Sequence, residues 1–184
     1  MKRLYLIILI LAGMTLMLPG AGRAADSVYY PSYYHLRQGT TIIVAPLQNL
    51  TSGKSAGGMI SRYITAAFIR GGRFRVYRQN MFRSFMARAG IAQRFPVDRS
   101  IAMKIGRLAG ANYVVFGSVV EYDYLATPGG TGTFPVIGIN VRIVDTGTGG
   151  IIFAGSLIKK GGTGDSLESL ALRMAKSFYE RTEQ

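Results

Sequence analysis

Residues 112–124 read NYVVFGSVVEYDY, and this stretch decides the fold because its apolar side chains follow a period of two. That period is typical of a β-strand with one buried face. The same pattern returns in residues 134–145 (FPVIGINVRIVD) and 151–160 (IIFAGSLIKK), with a TGTGG turn between them. We therefore predict three long strands in succession. Gly117, inside the first strand, is expected to let a helix pack closely against it.

Helical periodicity dominates the segments on either side of these strands. Two short segments are predicted as further strands: a β-branched run at residues 41–46 and the sequence FRVY at residues 74–77. Apolar residues at helical spacing predict four helices, at residues 59–68, 81–89, 98–109 and 167–178. Asp98 is the predicted N-cap of the third helix, and Asp165 or Ser166 that of the last. The order β-α-β-α-α-β-β-β-α predicts a mixed α/β fold in which helices pack on one mixed sheet.

The first 24 residues have the three parts of a secretory signal peptide. Lys2 and Arg3 precede an apolar run at residues 4–18, and small residues follow. We predict export to the periplasm, with cleavage after Ala24 or Ala25. An uncleaved anchor is the alternative, although the run is shorter than the ~20 apolar residues that a membrane-spanning helix needs.

A tyrosine-rich arm is predicted at residues 25–40, between the signal peptide and a single domain at residues 41–182. The arm has no helical period, so we expect it to be extended and to pack on its own domain or on a neighbouring molecule. Its four tyrosines are Tyr29, Tyr30, Tyr33 and Tyr34.

The residues that most enzymes need are scarce in this chain. It has no cysteine and a single histidine, His35, which argues against disulfides, zinc–cysteine sites and a Ser-His-Asp triad. Gln48 stands where a phosphate-binding loop ending at Gly53-Lys54-Ser55 needs a glycine. Glu121 and Asp123 share a strand face and are interpreted as solvated positions facing a partner. We expect no catalytic, cofactor or metal site, and hence no enzyme.

Positive charge is concentrated in one part of the sequence. The chain carries 22 Lys and Arg against nine Asp and Glu, and between residues 70 and 107 the only acid is Asp98. A basic surface on an exported protein can attract an acidic protein, an anionic lipid or a wall polymer, whereas export argues against nucleic acid. Solvated helix faces are the alternative. The candidate partner-binding residues are Arg78, Arg83, Arg88, Arg94 and Arg99, together with Tyr29, Tyr30, Tyr33 and Tyr34.

Four segments in order resemble the CsgG-like family. They are residues 43–51 (IVAPLQNLT), 72–78 (GRFRVYR), 105–119 (IGRLAGANYVVFGSV) and 144–149 (VDTGTG). This group includes the curli secretion component, LpoB-type activators of penicillin-binding proteins and the amino-terminal domain of TolB. Members of the first two types are lipoproteins, but Met14 stands here where a lipidated cysteine would follow Leu11-Ala12-Gly13. We therefore expect a periplasmic protein without a lipid anchor on cysteine, in possible association with the outer membrane.

The resemblance implies a non-enzymatic protein that acts in cell-envelope assembly or secretion by binding a protein partner. The alternative is a ring-forming homo-oligomer in a curli-like secretion or surface-polymer export apparatus, with the arm reaching the next subunit. A regulator of peptidoglycan synthesis of the LpoB type is the third hypothesis.

Overall fold

The computed structural model describes residues 27–29, 36–92, 96–127, 129–130 and 132–183. Seven strands lie in this part of the chain: β1 (Ser27–Tyr29), β2 (Thr41–Val44), β3 (Gln48–Asn49), β4 (Arg75–Tyr77), β5 (Tyr113–Ala126), β6 (Thr133–Asp145) and β7 (Ile151–Lys160). The helices described are α1 (Ala56–Gly71), α2 (Gln79–Arg88), α3 (Arg99–Ala109) and α4 (Leu167–Arg181). The predicted signal peptide lies outside the described residues. No helix in the described ranges is long and apolar enough to cross a membrane.

The strands form one mixed sheet in the order β1-β7-β6-β5-β2-β4, with β3 also paired to β5. The neighbours β5, β6 and β7 run antiparallel, as a meander does, while β2 is parallel to both β4 and β5. The predicted mixed α/β fold is therefore confirmed. Parallel pairing follows from the helical crossovers, since a helix must return the chain to the same end of the sheet.

Alternate residues of each strand face opposite helix layers. Ile42 and Val44 join the core beneath α1 and α4, whereas Ile43 joins the core beneath α2 and α3. In β5, Val115 joins the core beneath α1 and α4, and Val114 joins the core beneath α2 and α3. The period of two in the sequence thus supplies two cores, one on each side of the sheet.

Two segments depart from the predicted boundaries. Helix α1 begins at Ala56 rather than at Met59, and the short strand β3 lies between the strand predicted at residues 41–46 and this helix. Ser61 ties the start of α1 to the sheet, because its buried Oγ accepts a hydrogen bond from Leu47 N (2.8 Å) and donates one to Gly57 O (2.6 Å). Periodicity could not reveal these local contacts.

The predicted caps are present, and the structure chooses between the two candidates for α4. Asp98 Oδ1 accepts a hydrogen bond from Ile101 N at 2.8 Å, as an N-cap should. Ser166 caps α4 by accepting from Ser169 N at 3.1 Å. Asp165 instead accepts from Gly162 N and pairs with Arg173. This arrangement lowers the pKa of the Asp165 carboxyl, first through the backbone hydrogen bond and then through Arg173.

Gly117 has a different role from the predicted one. Its φ is 153°, and a Cβ at this position would overlap the carbonyl oxygen of Asn140 in the paired strand β6. The close neighbour is therefore a strand and not a helix. A helix does approach the sheet closely at Gly106 of α3, where a Cβ would meet Thr146 and Val114.

Two apolar residues that helical spacing places on the inner faces of the helices predicted at residues 81–89 and 98–109 are partly exposed. Met81 is 38% exposed on α2, and Leu108 is 41% exposed on α3. Phe82, Phe85 and Ile105 are buried as the helical spacing predicts. Met81 and Leu108 lie at the margins of their apolar faces, where spacing alone does not separate buried from exposed positions.

Candidate partner-binding surface

Four of the five predicted arginines lie exposed on one helix layer. Arg78 is the N-cap of α2, Arg83 and Arg88 lie on α2, and Arg99 is the first residue of α3. The fifth, Arg94, lies outside the described residues. Lys104 and Arg107 of α3 are exposed on the same layer. The exposed cations of α2 and α3 are called the basic layer below: Arg78, Arg83, Arg88, Arg99, Lys104 and Arg107.

Core packing explains why these charges point outward. Phe82, Phe85 and Met86 of α2 pack against the sheet, as do Ala102 and Ile105 of α3. An amphipathic helix that buries one face leaves its other side to solvent, where long cationic side chains keep their hydration. The same pattern that forms the core therefore produces the basic layer.

No ion pair found among the described residues involves a cation of the basic layer. Between residues 70 and 107 the sequence has one acid, Asp98, whose carboxylate caps α3. Among the described residues, the ion pairs all involve acids on or beside α4: Arg73–Glu183 (3.2 Å), Arg173–Asp165 (2.7 Å) and Lys176–Glu180 (3.5 Å). The two helix layers consequently differ in charge. Such a one-sided distribution favours association with an anionic partner over a distance of ~8 Å at physiological salt.

Several cations of the basic layer are held in place by backbone carbonyls. Arg99 Nε donates to Gly149 O and Arg107 Nε donates to Thr146 O, both at 2.9 Å. Lys104 Nζ donates to Ala89 O at 3.1 Å. A side chain that is already ordered loses less conformational entropy when it binds a partner. These residues are therefore preorganised for recognition.

Of the predicted tyrosine arm, the structure describes residues 27–29 and 36–40. Only Tyr29 of its four tyrosines is described, in β1, whose backbone pairs with β7. Tyr30, Tyr33 and Tyr34 lie outside the described residues, as does His35. Strand β1 lies at one edge of the sheet, whereas β4 and β2, next to α2, lie toward the other. The partner-binding role of the arm stays a prediction.

A cluster of tyrosines that sequence analysis did not single out surrounds Glu168 at the start of α4. Tyr63 Oη donates to Glu168 Oε1 at 2.8 Å, and Leu167 N donates to Tyr124 Oη at 3.2 Å. Burial and the hydrogen bond to Glu168 raise the pKa of Tyr63. Burial also raises the pKa of Tyr122, which lies near Tyr124 and Glu168. Residues 122 and 124 share a strand face, but no local pattern in the sequence indicates that α1 and α4 meet them there.

The C-terminal end of α4 is held in place by Tyr179. Tyr179 Oη donates to Glu183 Oε1 at 2.6 Å, and its ring occupies the space that a Gly71 side chain would fill. Burial and this hydrogen bond raise the pKa of Tyr179 to about 12. The same hydrogen bond lowers the pKa of Glu183. We interpret these contacts as a structural clamp between α1 and α4.

Glu121 and Asp123 lie on the distal half of β5, opposite Gly138 and Val136 of β6. Asp123 is exposed and Glu121 is partly exposed. Within the described ranges, no group of three or more His, Cys, Asp or Glu side chains is placed to hold a metal ion.

Comparison with known proteins gives one family match and several similar structures. The model of the family described as "Peptidoglycan-synthase activator LpoB" matches residues 23–156. The matched range includes the basic layer and ends within β7. No curated protein matches the sequence significantly.

The similar structures share the fold at low sequence identity. The PelC dodecamer from Paraburkholderia phytofirmans has a TM-score of 0.65 and 21% identity, covering 86% of this chain and 98% of that one. A lipoprotein of Neisseria meningitidis has a TM-score of 0.58 and 18% identity, covering 77% and 96%. The LpoB C-terminal domain from Salmonella enterica has a TM-score of 0.52 and 21% identity, covering 67% and 84%.

These matches support only part of the predicted resemblance. The sequence segments were assigned to a CsgG-like group that included LpoB-type activators, and LpoB is the member that the family match supports. Neither CsgG-like membership nor the curli and secretion roles has support here. Of the three functional hypotheses, the family match supports the third, a regulator of the LpoB type, and binding of a protein partner, which the first hypothesis contains, agrees with it.

Proposed function

Because this chain belongs to the LpoB family, we propose that it activates a peptidoglycan synthase of its own cell by binding it. The protein then acts as a regulator without chemistry of its own. The single histidine and the lack of cysteine in the sequence agree with this role. The synthase supplies the reaction, and this chain supplies a binding surface.

The observation that carries the proposal is the basic layer. Its cations are exposed, take part in none of the ion pairs found among the described residues, and are partly ordered by backbone carbonyls. Arginine is enriched among residues that dominate binding energy at protein interfaces. An acidic surface on the synthase is therefore the complementary partner, and steering by opposite charge would speed the encounter.

Activation requires that the protein bind the active form of the synthase more tightly than the inactive form. A ligand with equal affinity for two states shifts nothing, whereas a tenfold preference is worth about 1.4 kcal/mol. A contact on the basic layer can supply this difference in affinity if the synthase exposes its whole acidic surface only in the active form.

The cell compartment follows from the proposed partner, because peptidoglycan is assembled outside the cytoplasmic membrane. We propose a periplasmic location, which agrees with the predicted signal peptide. The cleavage site and the lack of a lipid anchor on cysteine concern residues outside the described ranges, and both stay predictions.

Reversing the charge of the basic layer tests this proposal. In the variant Arg78→Glu, Arg83→Glu, Arg88→Glu and Arg99→Glu, we expect binding to the synthase to weaken by at least about 100-fold, because like-charge contacts cost several kcal/mol. Stimulation of glycan-strand synthesis should disappear. The measurements are binding by surface plasmon resonance and the rate of polymerisation from lipid-linked precursor.

A matched control reverses four exposed cations elsewhere: Lys54→Glu, Arg62→Glu, Arg70→Glu and Lys176→Glu. This control changes the net charge by the same amount as the first variant but leaves α2 and α3 intact. It should therefore bind and activate the synthase nearly as the wild type does. Both variants should keep the wild-type circular dichroism spectrum. Full activation by the first variant, or equal losses in both, would show that the basic layer is not the contact surface.

A second candidate function is self-assembly into a ring, as a component of an export apparatus. The favouring observation is the likeness to a dodecameric protein over 86% of this chain. Sedimentation velocity at concentrations from micromolar to about 100 µM distinguishes the two candidates. A species of many subunits supports the ring, whereas a monomer throughout that range argues against it.

A further inference from the structure

We propose that a cleft between α3 and the adjoining face of β5 and β6 binds an acidic segment of the partner protein, with Arg142 receiving a carboxylate. This inference rests on the proposed function and specifies the chemistry of its contact. The cleft has a volume of about 580 Å³ and opens at the N-terminal end of α3. A space of this size accommodates a few residues of an extended peptide.

Two arginines give the cleft its charge. Arg142 projects from β6 and is exposed, and Arg99 stands at the start of α3 on the other side. Arg99 is fixed through Nε, which donates to Gly149 O at 2.9 Å. The ion pairs of the described residues include neither arginine. Asp98, the acid at the rim, already accepts a hydrogen bond from Ile101 N.

The strand register arranges the floor of the cleft. Arg142 lies opposite Phe116, and Asn140 lies opposite Ser118, so the side chains of these two rows share a sheet face. Ile151 of β7 adds a further apolar side chain. The floor therefore offers an amide and a hydroxyl beside apolar groups, which suits a peptide with a carboxylate next to an apolar residue.

The mixed character of the lining favours a protein segment over a phosphate-rich polymer. A guanidinium group binds a carboxylate with two parallel hydrogen bonds, and the apolar walls can take the neighbouring side chain. A polyphosphate would meet apolar walls at Phe116 and Ile151 and gain little from them. Arg99 belongs both to the basic layer and to the cleft. One acidic partner surface can therefore occupy the two regions continuously.

Peptide titration tests the cleft without the synthase. The probe is Ac-Gly-Leu-Asp-Glu-Leu-Gly-amide, and its comparison is the same peptide with Asn-Gln in place of Asp-Glu. With ¹⁵N-labelled protein recovered from the periplasm, the acidic peptide should shift the amide resonances of Ser118, Asn140 and Arg142. The neutral peptide should not. Inorganic phosphate and disaccharide stem peptide are added separately at the same concentration.

Single substitutions show which side chains of the cleft contribute to binding of the acidic peptide. Arg142→Met should weaken acidic-peptide binding at least tenfold, since hydrogen bonds to charged groups are the strong ones. Arg142→Lys should retain part of the affinity, and Asn140→Asp should weaken it by repulsion. Lys176→Met, on the exposed side of α4, should have no effect. Because Arg142 and Asn140 are exposed, these variants should melt at the wild-type temperature.

Three results would overturn the inference. They are the lack of shifts at Ser118 and Asn140, equal binding of the neutral peptide, and equal or tighter binding of phosphate or stem peptide at this cleft. Synthase activation is measured separately on the wild type. If the acidic peptide does not bind in the cleft while the wild-type protein still activates the synthase, the inference about the cleft is wrong and the proposed function stands. If activation itself fails, the proposed function is wrong whatever the peptide does.

Discussion

Replacing Phe68 by alanine is expected to lower the free energy of unfolding by about 4 kcal/mol, because it removes a fully buried ring from the core beneath α1 and α4. The ring centroid of Phe68 lies 5.6 Å from Phe74, 5.9 Å from Phe178 and 5.3 Å from Tyr179, each in an edge-to-face arrangement. Alanine would leave a cavity that rigid neighbours cannot fill.

Urea denaturation and thermal melting measure this loss. For a chain of this size, we expect the melting temperature to fall by roughly 10 °C. Leu172→Ala on α4 is the matched control, because Leu172 is 36% exposed and its truncation should cost less than about 1 kcal/mol. A Phe68→Ala variant as stable as the control would contradict the central position of this ring.

Gly117→Ala is expected to destabilise the protein by about 3 kcal/mol, although it adds a single methyl group. At φ 153° an L-residue is strained, and the new Cβ would overlap the backbone carbonyl oxygen of Asn140. The atom in the way belongs to a paired strand, so it cannot move without disturbing the pairing of β5 with β6.

The control for this variant is Gly58→Ala in α1. A Cβ at Gly58 would meet no atom within 4 Å, and alanine favours a helix over glycine by about 1 kcal/mol. The two substitutions should therefore change the midpoint of urea denaturation in opposite directions. A Gly117→Ala variant with wild-type stability would refute the close approach of the strands. Because Asn140 lines the proposed cleft, displacement of β6 in the Gly117→Ala variant should also abolish the resonance shifts caused by the acidic peptide.

Part of the candidate site was visible in the sequence. The many arginines between residues 70 and 107 indicated that α2 and α3 carry a basic surface. Helical spacing placed Phe82 and Phe85 in the core, and Arg83 and Arg88 therefore face solvent. Arg142 escaped notice because a single arginine in a strand carries no local sign of its neighbours. Its proximity to Arg99 depends on the position of α3 on the sheet.

The sequence by itself determined the three long strands, the four helices and most of their inward faces, since alternation along β5 and the spacing in the helices depend only on neighbours a few residues apart. It also determined the cap at Asp98, which a residue three positions away completes. The tertiary structure alone decided that Gly117 meets the backbone of β6 and that Ser166, not Asp165, caps α4. It also decided that Arg99 and Arg142 line one cleft. Arg99 and Arg142 are far apart in the chain, and their proximity follows from how the strands pair and how the helices pack upon them, which no short segment encodes.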